Sequence, residues 1–189
     1  MIAASVKDGD AIVELLLSRG ADVNQKSKTR IAHNHIKVMC GIITTLHFVA
    51  SKNNLEVARK LLSNKPPASA RVRDKRGQYP LHRAAAVGSV PMVNLLLQNR
   101  SPINATDSAG YTALHHAVAE GHGLFIYPQS RRLEWTTDKT LGATAVALLK
   151  AGAEIDKRDL DGYLALDLAP DKEVRKYIER EAENEGIEL

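Results

Sequence analysis

A short segment built on Leu-His returns along this chain at a nearly constant interval, and that periodicity restricts the fold more than any other feature. Four copies align: Thr45-Leu46-His47-Phe48-Val49-Ala50, Tyr79-Pro80-Leu81-His82-Arg83-Ala84-Ala85, Thr112-Ala113-Leu114-His115-His116-Ala117 and Leu164-Ala165-Leu166-Asp167-Leu168-Ala169. Leu46 and Leu81 are 35 residues apart, and Leu81 and Leu114 are 33 apart. Three further markers keep the same order. Leucine clusters follow at Leu15-Leu16-Leu17, Leu61-Leu62, Leu95-Leu96-Leu97 and Leu148-Leu149. Gly20-Ala21-Asp22-Val23-Asn24 is echoed by Gly152-Ala153-Glu154-Ile155-Asp156. An Asp-x-x-Gly turn stands at Asp74–Gly77, Asp107–Gly110 and Asp159–Gly162.

Each marker has a physical task. The Leu of Leu-His anchors a first helix in the core, and the Thr before it is expected to cap that helix by accepting from a free backbone N–H. The turn glycine takes a positive φ that residues with a Cβ resist. The Gly-Ala pair ends a second helix and opens the return loop. One such module cannot bury its apolar face alone, so its neighbours must supply the stability. The Thr-Pro-Leu-His-x-Ala pattern at this period resembles the ankyrin repeat, which implies an all-α solenoid of stacked helix pairs with β-hairpin loops.

Some residues go beyond the general pattern. Ala50-Ser51-Lys52-Asn53, the run Leu81-His82-Arg83-Ala84-Ala85-Ala86 followed by Gly88, and Ile2-Ala3-Ala4-Ser5 resemble consecutive stretches of gankyrin-like ankyrin proteins. The resemblance covers residues 1–29, 46–123 and 144–180. It implies a chaperone for assembly of the proteasome regulatory particle. Proteins of that kind have seven repeats and hold the C-terminal domain of one proteasomal ATPase subunit in their concave face. This chain keeps about five repeats.

The expected organisation is a single repeat domain over 1–189. It comprises a partial repeat 1–29, an insert 30–45, repeats 45–77 and 78–110, a repeat 111–162 interrupted by an insert 124–143, a capping repeat 163–182 and an acidic tail 183–189. The inserts come from spacing: Leu16 to Leu61 is 45 residues and Leu96 to Leu148 is 52, against a period near 33. Neither insert carries the repeat pattern, and the second holds Trp135. The second, and on weaker grounds the first, reads as translated non-coding sequence, with a genuine functional loop as the alternative. Met1-Ile2-Ala3-Ala4 matches the middle of a first helix, which predicts a truncated start that exposes Ile12, Val13 and Leu16. At the other end, Asp171 to Glu185 is charged with Val174, Tyr177 and Ile178 as its apolar stripe, the pattern of a capping helix.

In an ankyrin stack the hairpin tips and inner faces of the first helices form the groove. That places Lys52, Arg73, Lys75, Arg76, Gln78, Arg83, Asp107, Ser108, His116, Asp159 and Asp161 along it, basic in the middle and mixed toward the C-terminal end. Mixed charge suits a protein partner of alternating charge. The bland alternative is a set of ordinary solvated charges.

Other functions find little support. Net charge is +4, but the two inserts supply three of those charges, so a general basic face for nucleic acid is absent. No apolar run reaches membrane-spanning length. The single cysteine, Cys40, excludes an internal disulfide and fits a reducing compartment, with cytoplasm and nucleus as the expected locations. Cys40 with His33 and His35 matches no known zinc spacing. His47, His82 and His115 are expected to bond backbone near the hairpins, since His115-His116 lacks a matching nucleophile and acid. No phosphate loop appears. The reading is therefore a monomeric, non-enzymatic protein binder without cofactor, either an assembly chaperone or a general ankyrin adaptor in signalling or transcription. Sequencing the transcript is expected to show that the major mRNA lacks the codons for 124–143; a major mRNA that contains them makes the segment a genuine loop.

Overall fold

The structure is a computed structural model that describes residues 10–25, 44–119 and 140–187. Eight α-helices occur among them: α1 (Asp10–Ser18), α2 (Thr45–Ser51), α3 (Leu55–Ser63), α4 (Pro80–Ala86), α5 (Val90–Gln98), α6 (Ala113–Ala119), α7 (Thr140–Lys150) and α8 (Lys172–Asn184). A short 3₁₀ helix at Ala165–Leu168 precedes α8. Helices of seven to eleven residues are marginal in water, so these depend on packing.

Packing is in two layers. Helices α2, α4, α6 and the 3₁₀ helix stack side by side, and α1, α3, α5, α7 and α8 stack behind them. The predicted anchors fill the first layer: Leu46, Leu81 and Leu114 are fully buried and Leu166 nearly so. Val57, Leu61, Met92, Leu96, Leu148 and Ile178 fill the second. All belong to one continuous apolar core. A fully buried leucine contributes about 1.5–3 kcal/mol, so a row of them outweighs the weak propensity of the short helices.

Local chemistry sets the helix starts. Asn54 Oδ1 accepts from the Val57 N–H at 3.1 Å, Ser89 Oγ from Met92 at 3.3 Å, and Asp171 Oδ1 from Val174 at 2.8 Å. The expected threonine cap is present: the Thr112 hydroxyl accepts from the His115 N–H at 3.4 Å, and the Thr44 side chain accepts from the backbone of His47 in the same way. A reciprocal bond comes from the histidine three residues on. Its Nδ1 accepts from the backbone N–H of Thr44, Tyr79 or Thr112 at 3.1–3.4 Å. The threonine of the signature adds its hydroxyl to the same ring nitrogen, at 2.9 Å for Thr44 and 2.8 Å for Thr112.

At the N-terminal end Ile12 and Leu16 are exposed as expected, and so is Leu15. Val13 is not: it is buried in the core, because α1 packs on α3, where Glu14 also pairs with Lys60 at 2.7 Å. The C-terminal helix follows its sequence closely. Asp171 is its N-cap, Glu185 its C-cap, and Ile178 with Ala182 is buried against the stack, flanked by the partly buried Val174 and Tyr177. Most of both inserts lies outside the described residues, as do Cys40, His33 and His35. Where they are described, Thr44 and Thr45 already form the capped start of α2, and Thr140–Ala143 form the first turn of α7. No helix of the described residues is long and apolar enough to cross a membrane.

The loops between repeats are tight turns. Asp74 N–H donates to Gln78 O, Asp107 to Tyr111 and Asp159 to Tyr163, at 2.8–3.0 Å. Among the described residues one isolated antiparallel bridge, Arg158 with Leu164, is the only β pairing. Successive tips are tied together by Ser108 N–H to Arg76 O at 2.8 Å and Leu160 N–H to Ala109 O at 3.1 Å. Gly110 makes the second tie possible. It has a φ of +82°, and a Cβ there would lie 2.7 Å from the Leu160 nitrogen, whereas a Cβ on Gly162 (φ +88°) meets nothing within 4 Å. Gly162→Ala is therefore expected to cost about 1–2 kcal/mol of conformational strain alone. Gly110→Ala must also separate two hairpins and should cost clearly more; equal losses in chemical denaturation would refute the close approach.

Candidate protein-binding groove

The groove is assembled by three histidines and three aspartates. His47 Nε2 lies 2.9 Å from Gln78 O, His82 Nε2 lies 3.1 Å from Ala105 O and 3.2 Å from Tyr111 O, and His115 Nε2 lies 3.4 Å from Tyr163 O. Since Nδ1 accepts from backbone, the ring carries its proton on Nε2 and donates to the carbonyl of the following repeat. Each ring thus joins the start of its own first helix to the next hairpin, which bears out the structural role expected for these residues. In the last copy Asp167 stands in the histidine slot, and its Oδ2 accepts from Leu164 N–H at 3.0 Å. It closes the local cap, and its other oxygen meets Arg175 of α8 at 3.5 Å rather than a following hairpin.

Each aspartate organises a tip. Asp74 Oδ1 accepts from the N–H groups of Arg76 and Gln78, Asp107 Oδ1 from Ala109 and Tyr111, and Asp159 Oδ1 from Asp161 and Tyr163, all at 2.8–3.1 Å. The second oxygens differ. Arg83 donates to Asp74 Oδ2 at 2.7 Å. Asp107 Oδ2 accepts from Gln78 Nε2 at 3.0 Å and lies 3.0 Å from His116 Nε2. Asp159 Oδ2 is buried with no hydrogen-bond partner among the described residues. An unmet buried acceptor costs about 1–3 kcal/mol.

The pKa shifts follow this geometry. Burial opposes ionisation of Asp107, but hydrogen bonds from His116, Gln78 and the Ala109 N–H overcome it and hold the carboxyl well below the usual range. Burial, with His116 nearby, lowers His82 to about 4, and burial also lowers His115. Burial and the charges of Asp159, Asp161 and Asp107 raise the Tyr111 hydroxyl. That ring stacks on His115 with centroids 5.6 Å apart, as Tyr79 stacks on His82 at 5.8 Å.

The eleven residues assigned to the groove fall into two groups. Gln78, Arg83, Asp107, His116 and Asp159 face the stack, and the first four each make a side-chain hydrogen bond within the chain, although the buried Nε of Arg83 finds no partner among the described residues. Lys52, Arg73, Lys75, Arg76, Ser108 and Asp161 are exposed. Of these, Arg73 is held by Tyr79 Oη at 3.1 Å and Thr106 O at 3.2 Å, and Lys52 lies 6.0 Å above the Phe48 ring. Lys75 and Arg76 make no ion pair with a described residue. Sequence reasoning passed over Asp74, Tyr111, Tyr163 and Leu160. A signal existed for part of this: Arg83 and His116 each stand nine residues after their aspartate. Among the described residues no cluster of three metal-ligating side chains occurs.

Comparison with known proteins agrees with this architecture. The ankyrin-repeat family model, "Ankyrin repeats (3 copies)", matches residues 1–107 and 46–126. The chain belongs to the ankyrin-repeat family. It is 38% identical over 137 residues to the probable 26S proteasome regulatory subunit p28 of Saccharomyces cerevisiae, covering 72% of this chain and 51% of that protein. It is 34% identical to an ankyrin repeat-containing protein of Schizosaccharomyces pombe, over 95% of this chain and 64% of the other. It is also 33% identical to the E3 ubiquitin-protein ligase KEG of Arabidopsis thaliana, over 59% of this chain and 6% of KEG. The chain thus spans less than two thirds of the length of these relatives.

The buried histidines set a pH dependence. His82 binds a proton near 6.5 when unfolded and near 4 when folded, so the unfolded chain binds more protons between those values. Stability should be level above pH 7, fall as pH drops from 6.5 toward 4, and lose about 3 kcal/mol from this residue. Denaturation at stepped pH checks this; a His82→Gln variant with an unchanged slope would remove His82 as the cause.

Proposed function

We propose that this ankyrin stack is a protein-binding scaffold that serves assembly of the proteasome regulatory particle by holding the C-terminal domain of a proteasomal ATPase subunit. The observation that carries this reading is the row of tied hairpin tips. Hydrogen bonds fix the tips side by side, and along that fixed row the exposed side chains change from Arg73, Lys75 and Arg76 to Asp161. A row of this kind binds with little ordering of its own backbone and selects a partner by charge pattern. The inward-facing Gln78, Arg83, Asp107 and His116 keep the tips in register, and the exposed residues meet the partner. Similarity to the yeast proteasome subunit supports the choice of partner. Cytoplasm and nucleus are the compartments this reading implies.

The test is a titration of the purified chain against that ATPase domain. Saturable binding is expected, weakened about tenfold or more by a Lys75→Glu, Arg76→Glu pair that leaves the melting temperature unchanged, the range for losing two favourable charge contacts and gaining two repulsive ones. No binding by a chain shown to unfold cooperatively overturns the proteasomal reading and leaves the general adaptor.

A further inference from the structure

The three tips repeat one arrangement with one omission. In the first, Arg83 stands nine residues after Asp74 and meets its Oδ2. In the second, His116 stands nine residues after Asp107 and does the same. In the third, the residue nine after Asp159 is Leu168. Asp159 is only 7% exposed, and its Oδ2 has no hydrogen-bond partner among the described residues. The guanidinium of the neighbouring Arg158 is turned to Gly162 O at 2.7 Å. Asp161, two residues on, is exposed and pairs with no cation of the described residues. Asp107 is compensated by His116 and Gln78, so the uncompensated negative charge beside Tyr111 comes from Asp159 and Asp161. Two large apolar side chains flank the same turn in the open: Leu160 is 77% exposed and Tyr163 54%.

We propose that the C-terminal tip of the groove, Asp159–Tyr163, receives a basic side chain of the partner, an arginine or lysine next to an apolar residue. The partner's cation pairs with the exposed Asp161 and offsets from the surface the buried charge of Asp159, which no side chain of the described residues meets as Arg83 meets Asp74. Leu160 and Tyr163 cover the apolar neighbour. A planar guanidinium suits the exposed Asp161 best, because it can meet both oxygens of that carboxylate at once. The groove then has a direction: acidic residues of the partner face Arg73, Lys75 and Arg76, and basic ones face the last tip. This rests on the groove binding protein, but not on the partner being proteasomal.

The test uses the full chain and two peptides, acetyl-leucyl-arginyl-leucinamide and the same peptide with citrulline in place of arginine. Binding is followed by the amide resonances of Asp161 and Tyr163, whose N–H groups donate to Asp159. The arginine peptide is expected to shift both resonances saturably and to bind about fivefold more tightly than the citrulline peptide, the factor of one partly screened ion pair. Leu168→Arg places the missing cation inside the chain, so it should remove that preference while the melting temperature stays level or rises. Asp161→Asn, which leaves the turn cap intact, should weaken the arginine peptide alone. Equal affinity for both peptides, shifts confined to other tips, or an arginine preference unchanged in both variants overturns the proposal. Since no ATPase domain enters this experiment, its failure is distinct from failure of the proteasomal reading.

Discussion

The stack depends on a ring with two nitrogens used in two directions. At His47, His82 and His115 one nitrogen closes the start of a first helix and the other reaches the hairpin of the following repeat. An amide or hydroxyl could cap a helix, but only a planar group with opposed polar atoms links two repeats through one rigid side chain. Burial keeps His82 and His115 neutral, which is the state the two bonds require. Apolar packing supplies most of the stability, yet it is non-directional. The histidine links fix the register in which the layers of leucine meet.

The aspartates extend that register to the surface. One oxygen of each caps its turn, so the turns are alike, and the second oxygen is free to differ. Arg83, then His116 and Gln78, complete the first two. These charges look like solvated groove residues in the sequence and are in fact internal struts. The exposed set is Arg73, Lys75 and Arg76 at one tip, Ser108 at the next, and Leu160, Asp161 and Tyr163 at the last, and these are the residues the proposed function gives to a partner. In the proposed function, recognition and stability would use neighbouring residues of the same turns, divided by whether a polar atom is met from inside.

Much of the fold is legible in the residues because each repeat marker answers a local demand. Leu46, Leu81 and Leu114 are buried where their periodicity puts them, and α8 runs between its caps, Asp171 and Glu185, as its pattern of charge and apolar residues implies. The site is less legible. Charge and position in the repeat select Gln78, Arg83, Asp107 and His116 together with Lys75 and Arg76, but residue type does not say whether a polar atom points to a neighbour or to solvent. Tyr111 matters through its place between His115 and the carboxylates, a relation across repeats that spacing alone does not display. Val13 is a small case of the same limit: helical periodicity puts it on an apolar surface, and only the packing of α1 on α3 decides that it is the covered part.

By itself the sequence determined the repeat, its period, the turn glycines and the positions of the core leucines, because those follow from backbone conformation and burial within one module. The tertiary structure alone decided that Asp159 Oδ2 is left unmet among the described residues, which charges stay outward, and that Gly110 must be bare for Leu160 to approach. The approach of Gly110 to Leu160 and the bond from Gln78 to Asp107 arise where two repeats meet, and chain-local propensity carries no information about atoms that far apart.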